Sequence, residues 1–523
     1  MTDTRPETPA TDMEALFARA LAEAPTPAPA APALRPVPAQ ASPALLLANP
    51  ARAQDGSGSG TLPVGHEVLG ELRSQASMRI GEAAGADASM TEQDRRQRGQ
   101  SIINEVVAQW ATKFAASGTL LTPGQQRAVE KAVFDELFRA GRLQPLLDDP
   151  NVENIIINGD KVRVDYADRP THTWDPIAKN DRDLISLINH IARMQGQGER
   201  ALTPATPNLN MRLADGSRLA ASAYVTPRPN IVIRRHRTRG QGLEDLVRWG
   251  TIDSTLAAFL RAAVKGRKNI IVVGSQGVGK TSLLRAMARE IPRTERVGTL
   301  ESEYELYLHE DPDGPEVVPY EGRESNGERG PDGKLQGELT LSDLFPQLLR
   351  MSLRRVIVGE VRSKEIVPML HAMNEGEGGS MATLHARSAQ LSIERMATLC
   401  LEAGIGMTEA LAYRLIANAI NLVVYVRLVD ETELVGPDGK PGRKHRFVSH
   451  VMEITGIGEA GRPAYQMVFA PREQDGRREP RAVPQGTISQ TCMDDLVRAG
   501  LDRSVLLNRW GTWGAPIQTV MPL

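Results

Sequence analysis

The octet "GSQGVGKT" at residues 274–281 constrains this chain more than any other stretch. It fits G-x-x-x-x-G-K-[ST], in which glycines let consecutive backbone N–H groups turn inward around phosphate oxygens. Its surroundings fit as well. The apolar run at 270–273 reads as a buried strand leading in, and "SLLRAMARE" as a helix leading out. In such a unit the helix N-terminus points its dipole at the phosphates. Lys280 would reach the β and γ oxygens, and Thr281 would ligate Mg²⁺. Gly274, Ser275, Gln276, Gly277, Val278, Gly279 and Ser282 would complete the cradle. The expected cofactors are therefore ATP and Mg²⁺.

Bulk properties narrow the partners. A chain of 523 residues is too long for one ordinary core, so two or three domains are expected. With 62 basic against 64 acidic residues, no global field favours nucleic acid or an anionic membrane. Cys400 and Cys492 lie far apart without metal-site spacing and read as buried thiols in a reducing compartment. No run approaches the ~18 apolar residues of a spanning helix. The best candidate, residues 411–429, is broken by Arg414, Asn418, Asn421 and Arg427. The start "MTDTRPETPATD" lacks an apolar signal segment. The expectation is a soluble, cytoplasmic chain with peripheral membrane contact at most.

Four regions follow from composition and periodicity. Residues 1–97 are rich in Ala, Pro, Gly and Ser and are expected to be a disordered tail. Within it "MEALFARALA" (residues 13–22) is either a docking helix or a transient one. Residues 98–240 read as a helical lead-in followed by a smaller α+β domain. Ile103, Val107, Trp110 and Phe114 recur at helical spacing, and Thr122-Pro123 opens a second helix. "VENIIING", "VRVDYA" and "NIVIRRH" read as strands, and "NMRLADGSRLAASA" as a hairpin turning at Asp215-Gly216. Residues 241–475 alternate strand and helix, the mark of a parallel sheet covered on both faces. The polar stretch 311–338 reads as a loop, and residues 476–523 as an extension with one helical segment. The fold class is α/β.

Hydrolysis needs a carboxylate to orient water and a group that senses the γ-phosphate. Glu301 and Glu305 follow the strand "RVGTLES", and Glu360 ends "RVIVGE". Strand C-termini in such sheets converge on the phosphate loop, so chemistry is expected there. "SMATLHA" would be the next strand and would carry His385 to the same edge. A lone His is often a core hydrogen-bonder, but this sheet context reads it as a γ-phosphate or subunit-contact sensor.

Taken together these segments resemble the type II/IV secretion ATPases, in particular the CpaF-type motors of tight-adherence pilus systems. The resemblance runs over roughly residues 100–470. It rests on the phosphate loop, on "TLESEYEL" as an acidic box, on "LLRMSLRRVIVGEVR" as an atypical Walker B, and on "NEGEGGSMATLHARS" as a histidine box. It implies a RecA-like core behind a mobile N-terminal domain, a ring homo-hexamer with ATP between subunits, and an inner-membrane platform as partner. It further implies that Glu301 activates water, that Glu360 lies near Mg²⁺, and that His385 is the sensor. Arg218, Arg234 and Arg350 resemble arginines that reach nucleotide, in cis or from a neighbour. Two positions depart from the pattern: Ser302 stands where an Asp is usual, and "GEGG", with Glu377, stands where Gly-His-Asp-Gly is usual. An ATP-binding scaffold with little turnover and a nucleic-acid translocase are the alternatives; the latter lacks a basic, aromatic-interleaved stripe.

Overall fold

Val68, Leu69, Leu72 and Ala76 recur at helical spacing and are all buried on α1 (His66–Ala86). In this computed structural model the described residues are 64–521, without 87–90, 117–119, 168, 195–200, 236–239, 324, 326–336, 405 and 437–438. The stretch expected to be tail is thus helical over 66–86 and again from 92. Residues 13–22 and the rest of that tail lie outside the described residues. Two more helices, α2 (Glu92–Ala115) and α3 (Pro123–Phe138), join α1. Each starts with a capping box: Thr91 with Asp94, and Thr122 with Gln125 ahead of Pro123. Ile103 and Val107 on α2 meet Val129 and Val133 on α3 and the buried stripe of α1 in one cluster.

After α4 (Gln144–Asp148) the period changes to strand. A six-stranded antiparallel sheet forms from β1 (Val152–Asn158), β2 (Lys161–Tyr166), β3 (His172–Trp174), β4 (Asn208–Arg212), β5 (Arg218–Ser222) and β6 (Asn230–Arg234), in the order β3-β2-β1-β6-β5-β4. The β4–β5 hairpin turns at Asp215-Gly216, where Gly216 adopts φ +81°. The helix α5 (Asp181–Met194) contributes Leu184, Ile188 and Ile191 to the same core as Ile155, Ile157 and Ile233.

The helices α6 (Leu243–Arg248) and α7 (Ser254–Lys265) lead into the second sheet. Its first strand is β7 (Ile270–Gly274), followed by helix α8 (Lys280–Ala288). Then come β8 (Arg296–Glu301), β9 (Glu316–Glu321), α9 (Leu341–Leu348), β10 (Arg355–Val361), α10 (Ile366–Glu375) and β11 (Met381–His385). The helices α11 (Leu391–Glu402) and α12 (Glu409–Ala419) precede β12 (Leu422–Asp430), β13 (Lys444–Ile457), β14 (Pro463–Gln474) and β15 (Arg477–Pro484). Nine strands pair in the order β15-β14-β13-β12-β7-β11-β10-β8-β9. From β12 through β9 neighbours run parallel, and β13 to β15 continue antiparallel. Burial on both faces explains the apolar run of β7. Ile270 and Val272 enter one core, and Ile271 and Val273 the other.

Two segments differ from the sequence reading. The polar stretch 311–338 contains β9, a parallel edge strand whose short apolar run at Val317-Val318 is followed by Pro319 and flanked by Glu316 and Glu321. The extension beyond 475 contains β15, whose charges misled: buried Arg481 and Glu479 neutralise each other there. The remaining extension folds back onto the sheet. Lys268 pairs with Asp495 on α13 (Gln490–Arg498) at 2.7 Å, and Trp513 Nε1 donates to the Ala482 carbonyl at 2.9 Å.

Candidate nucleotide site

The phosphate loop emerges from β7 at the C-terminal edge of the parallel strands. Gly274, Gly277 and Gly279 adopt φ of +153°, +73° and +99°, values that L side chains rarely take. Gly279 caps α8, and Ser275, Gln276 and Gly277 are exposed at the loop tip while Val278 packs into the core. Thr281 and Ser282 lie half-buried in the first turn. Lys280 is only 7% exposed, its Nζ donating to the Ser275 carbonyl at 2.9 Å. Burial pushes its ammonium down to about 8, against the pull of Glu360 and Glu305 and with the help of Arg234 and Arg362.

Three strand ends meet the loop. His385 pairs in register with Gly274, and β10 and then β8 follow across the sheet. His385 Nδ1 lies 3.3 Å from Lys280 Nζ, and its Nε2 lies 2.5 Å from Glu360 Oε1. Burial and the Lys280 charge lower the proton affinity of this imidazole. A neutral ring accepting at Nδ1 fits the Lys280 contact and leaves its proton on Nε2, on the side of Glu360. Glu360 Oε2 accepts from Arg362 Nη2 at 2.6 Å.

Glu301 is 2% exposed, and burial pushes its carboxyl up to about 7. Its Oε2 accepts from the N–H groups of Glu305 and Leu306, both at 2.8 Å. Its Oε1 is buried with no hydrogen-bond partner among the described residues. Gly359 leaves space for it, since a Cβ there would lie 2.9 Å from Glu301 Cγ. A carboxyl so held, with one oxygen fixed and one unpaired, can accept a proton at neutral pH from a water that reaches it.

The N-terminal sheet supplies the rim. Arg218, first residue of β5, is held on carboxylates: its guanidinium pairs with Glu305 and lies 2.5 Å from Glu303 Oε2. Arg234, last residue of β6, is exposed, and its charge is felt by Lys280. Arg350 is elsewhere. It follows α9 at the N-terminal end of β10, whose seven residues span roughly 20 Å, so within one chain it does not join the loop.

Sequence reasoning passed over Arg446. It lies on β13, donates from Nε to the Gly277 carbonyl at 3.3 Å and pairs with Glu153 of β1 at 3.0 Å. Its only signal was an Arg in a strand otherwise rich in apolar residues.

The glycines of "GEGG" allow a close approach of backbone and side chains. They lie at the N-terminal end of β11, opposite the loop. Gly378 and Gly379 adopt φ of +78° and +84°, and a Cβ on either would strike the Arg267 carbonyl or the Arg355 guanidinium. Glu377 there bridges Arg267 and Arg354 at 2.8 and 2.5 Å. A cavity of about 570 Å³ opens at that same edge, lined by Leu349, Leu353 and Gly376, and touches none of the candidate residues.

The family description "Type II/IV secretion system protein" matches residues 159–461, more than half of the chain. The chain belongs to the type II/IV secretion system protein family. Within that family, an uncharacterized protein of Methanocaldococcus jannaschii is 30% identical over 284 residues, which cover 53% of this chain and 38% of that protein. The chain therefore spans well under half the length of that relative. The type IV secretion system protein VirB11 of Brucella suis is 29% identical over 321 residues, covering 55% of this chain and 83% of VirB11. The crystal structure of the Brucella suis VirB11 ATPase with sulphate is 26% identical and covers 62% of this chain and 96% of its own, with a TM-score of 0.30. Among the described residues no helix is long and apolar enough to cross a membrane.

Proposed function

We propose that this chain is an ATP-hydrolysing motor of the CpaF type, working as a homo-hexameric ring to assemble pili or secrete protein through an inner-membrane platform. The observation that carries this reading is convergence: Lys280 of the glycine-rich loop lies beside His385, His385 beside Glu360, and Glu301 is joined to the loop's Thr281 through Glu305. Lys280 would neutralise the transferred phosphate, and Glu301 would take a proton from the attacking water. His385, neutral between Lys280 and Glu360, would register the γ-phosphate through Lys280. Arg350, at the far edge of the sheet, could act only toward a neighbouring subunit.

Mg²⁺ fits the donors present. Thr281 Oγ1 and nearby carboxylate oxygens suit a hard cation. Among the described residues no group of three or more His, Cys, Asp or Glu could hold a metal. The ion would therefore be held largely by nucleotide phosphates, with Thr281 and Glu360 on the protein side. When bound it would offset charge on the β and γ oxygens.

Phosphate release from the purified chain tests the reading, compared with K280A and E360Q and with or without single-stranded and duplex DNA. Slow Mg²⁺-dependent turnover, lost in both variants and indifferent to DNA, supports the motor. Wild-type turnover no greater than that of the variants sinks it in favour of an ATP-binding scaffold. Stimulation by DNA sinks it in favour of a translocase.

A further inference from the structure

Glu305 touches four residues at once, on three elements. Its N–H donates to Glu301 Oε2 at 2.8 Å, and its carbonyl accepts from Arg285 Nη2 on α8 at 2.5 Å. Its Oε2 accepts from Thr281 Oγ1 at 3.1 Å, and its Oε1 is paired with Arg218 of the N-terminal sheet. No other carboxylate contacts Thr281 in the hydrogen bonds of the described residues.

A threonine hydroxyl carries one hydrogen and two acceptor lone pairs. With the hydrogen committed to Glu305, the lone pairs of Thr281 are left for a cation. The strand end that precedes Glu360 cannot supply a carboxylate for this purpose. Gly359 occupies that position, and a Cβ there would press on Glu301. Glu305 itself is fixed from the far side. Arg218 also donates from Nη2 to the Glu303 carbonyl at 2.7 Å, and it sits in a strand paired along its length with β4 and β6.

We propose that Glu305 is the positioning residue that orients Thr281 toward the Mg²⁺ of a bound nucleotide, and that Arg218 ties this orientation to the docking of the N-terminal sheet. The inference rests on the nucleotide reading above. It makes the metal seat a product of both domains: undocking of Arg218 frees the Glu305 carboxylate to rotate, and Thr281 loses its fixed direction. Outer partners that orient a ligand typically govern about 10- to 100-fold in metal affinity.

The test uses the full chain with ADP, and Mn²⁺ as the metal probe, free Mn²⁺ being read by electron paramagnetic resonance. Affinity for a fluorescent ADP in EDTA is measured beside it. E305A is expected to weaken Mn²⁺ binding to the ADP complex by about tenfold or more, with ADP affinity in EDTA within about twofold of wild type. R218A should weaken Mn²⁺ by a smaller factor, and E305A/R218A should be no weaker than E305A alone. E305Q keeps an acceptor for Thr281 but not the charge for Arg218, so it should match R218A; it carries the test if E305A fails to fold. Unchanged Mn²⁺ affinity in E305A, or in E305Q and R218A together, overturns the proposal. Losses that add in the double variant overturn the Arg218 link. A wild-type chain that binds no ADP under either condition overturns the nucleotide reading and this inference with it.

Discussion

Glu301 and Gly359 are packed so closely that a Cβ on the glycine would lie 2.9 Å from the Cγ of the glutamate. Glycine at 359 thus sets where the open oxygen of Glu301 points. G359A should displace that carboxyl by a fraction of an ångström to an ångström. Misplacement on this scale costs about 10²-fold in rate. Steady-state kinetics should show the loss in kcat with the nucleotide KM little changed.

The proton on Glu301 gives a pH signature. Burial pushes its pKa from 4.5 to about 7, so between those values the folded chain keeps a proton that the unfolded chain releases. The stability contributed by this site is full below pH 4.5 and is lost as pH rises through 7. E301Q should flatten that fall in urea titrations at pH 5 and 8. In the proposed role of base Glu301 must be ionised, so kcat/KM should rise toward a limb near 7. It should fall again near 8 as Lys280 loses its charge. An acid limb near 4.5 would remove Glu301 from the role of base.

Glu377 belongs to the opposite edge of the sheet, between Arg267 and Arg354. E377A should leave phosphate release within about twofold of wild type. Half-exposed ion pairs of this kind contribute roughly 0–1 kcal/mol. A thermal melt should therefore move by only a few degrees.

Arg446 bridges the Gly277 carbonyl and Glu153. R446A should raise the dissociation constant for nucleotide several-fold by loosening the loop tip. The cycle with E153A should show a coupling of about 0.5–3 kcal/mol, measured by nucleotide titration of the four proteins.

Leu72 is 1% exposed in the cluster that joins α1 to α2 and α3. L72A should destabilise that helical unit by about 2–5 kcal/mol. Urea denaturation read by Trp110 fluorescence would register it. No change would leave α1 outside the folded unit.

The strand, glycine-rich loop and helix at 270–288 were legible because their signal is local: glycines, one Lys and one Thr between an apolar run and a helix. Glu301, Glu360 and His385 were legible because strand ends of a parallel sheet share an edge, and the structure sets them there. Arg350 was proposed from resemblance, and its distance from the loop depends on which strand end it flanks, which sequence spacing does not report. The contacts of Arg446 and Arg218 join residues more than 80 positions apart, and no periodicity marks them. The α1 stripe was visible at Val68, Leu72 and Ala76 but was masked by the Gly- and Ser-rich stretch before it. β15 was hidden by its charges, which burial makes acceptable only because Glu479 and Arg481 meet.

The N-terminal sheet meets the loop-bearing sheet through charge. Arg218 faces Glu303 and Glu305, Arg212 faces Glu321 at 3.0 Å, and Arg446 and Lys444 share Glu153. None of the apolar clusters among the described residues spans the two. A joint without a greasy core opens with little change in heat capacity, so warming alone shifts it weakly. Dissolved ions act on it directly. At cellular ionic strength the screening length is about 8 Å, longer than the 2.5–3.8 Å of these contacts, so salt acts on the charges mainly once they have parted. An opening of this joint would therefore be favoured by added salt, which shields the parted charges, more than by warming.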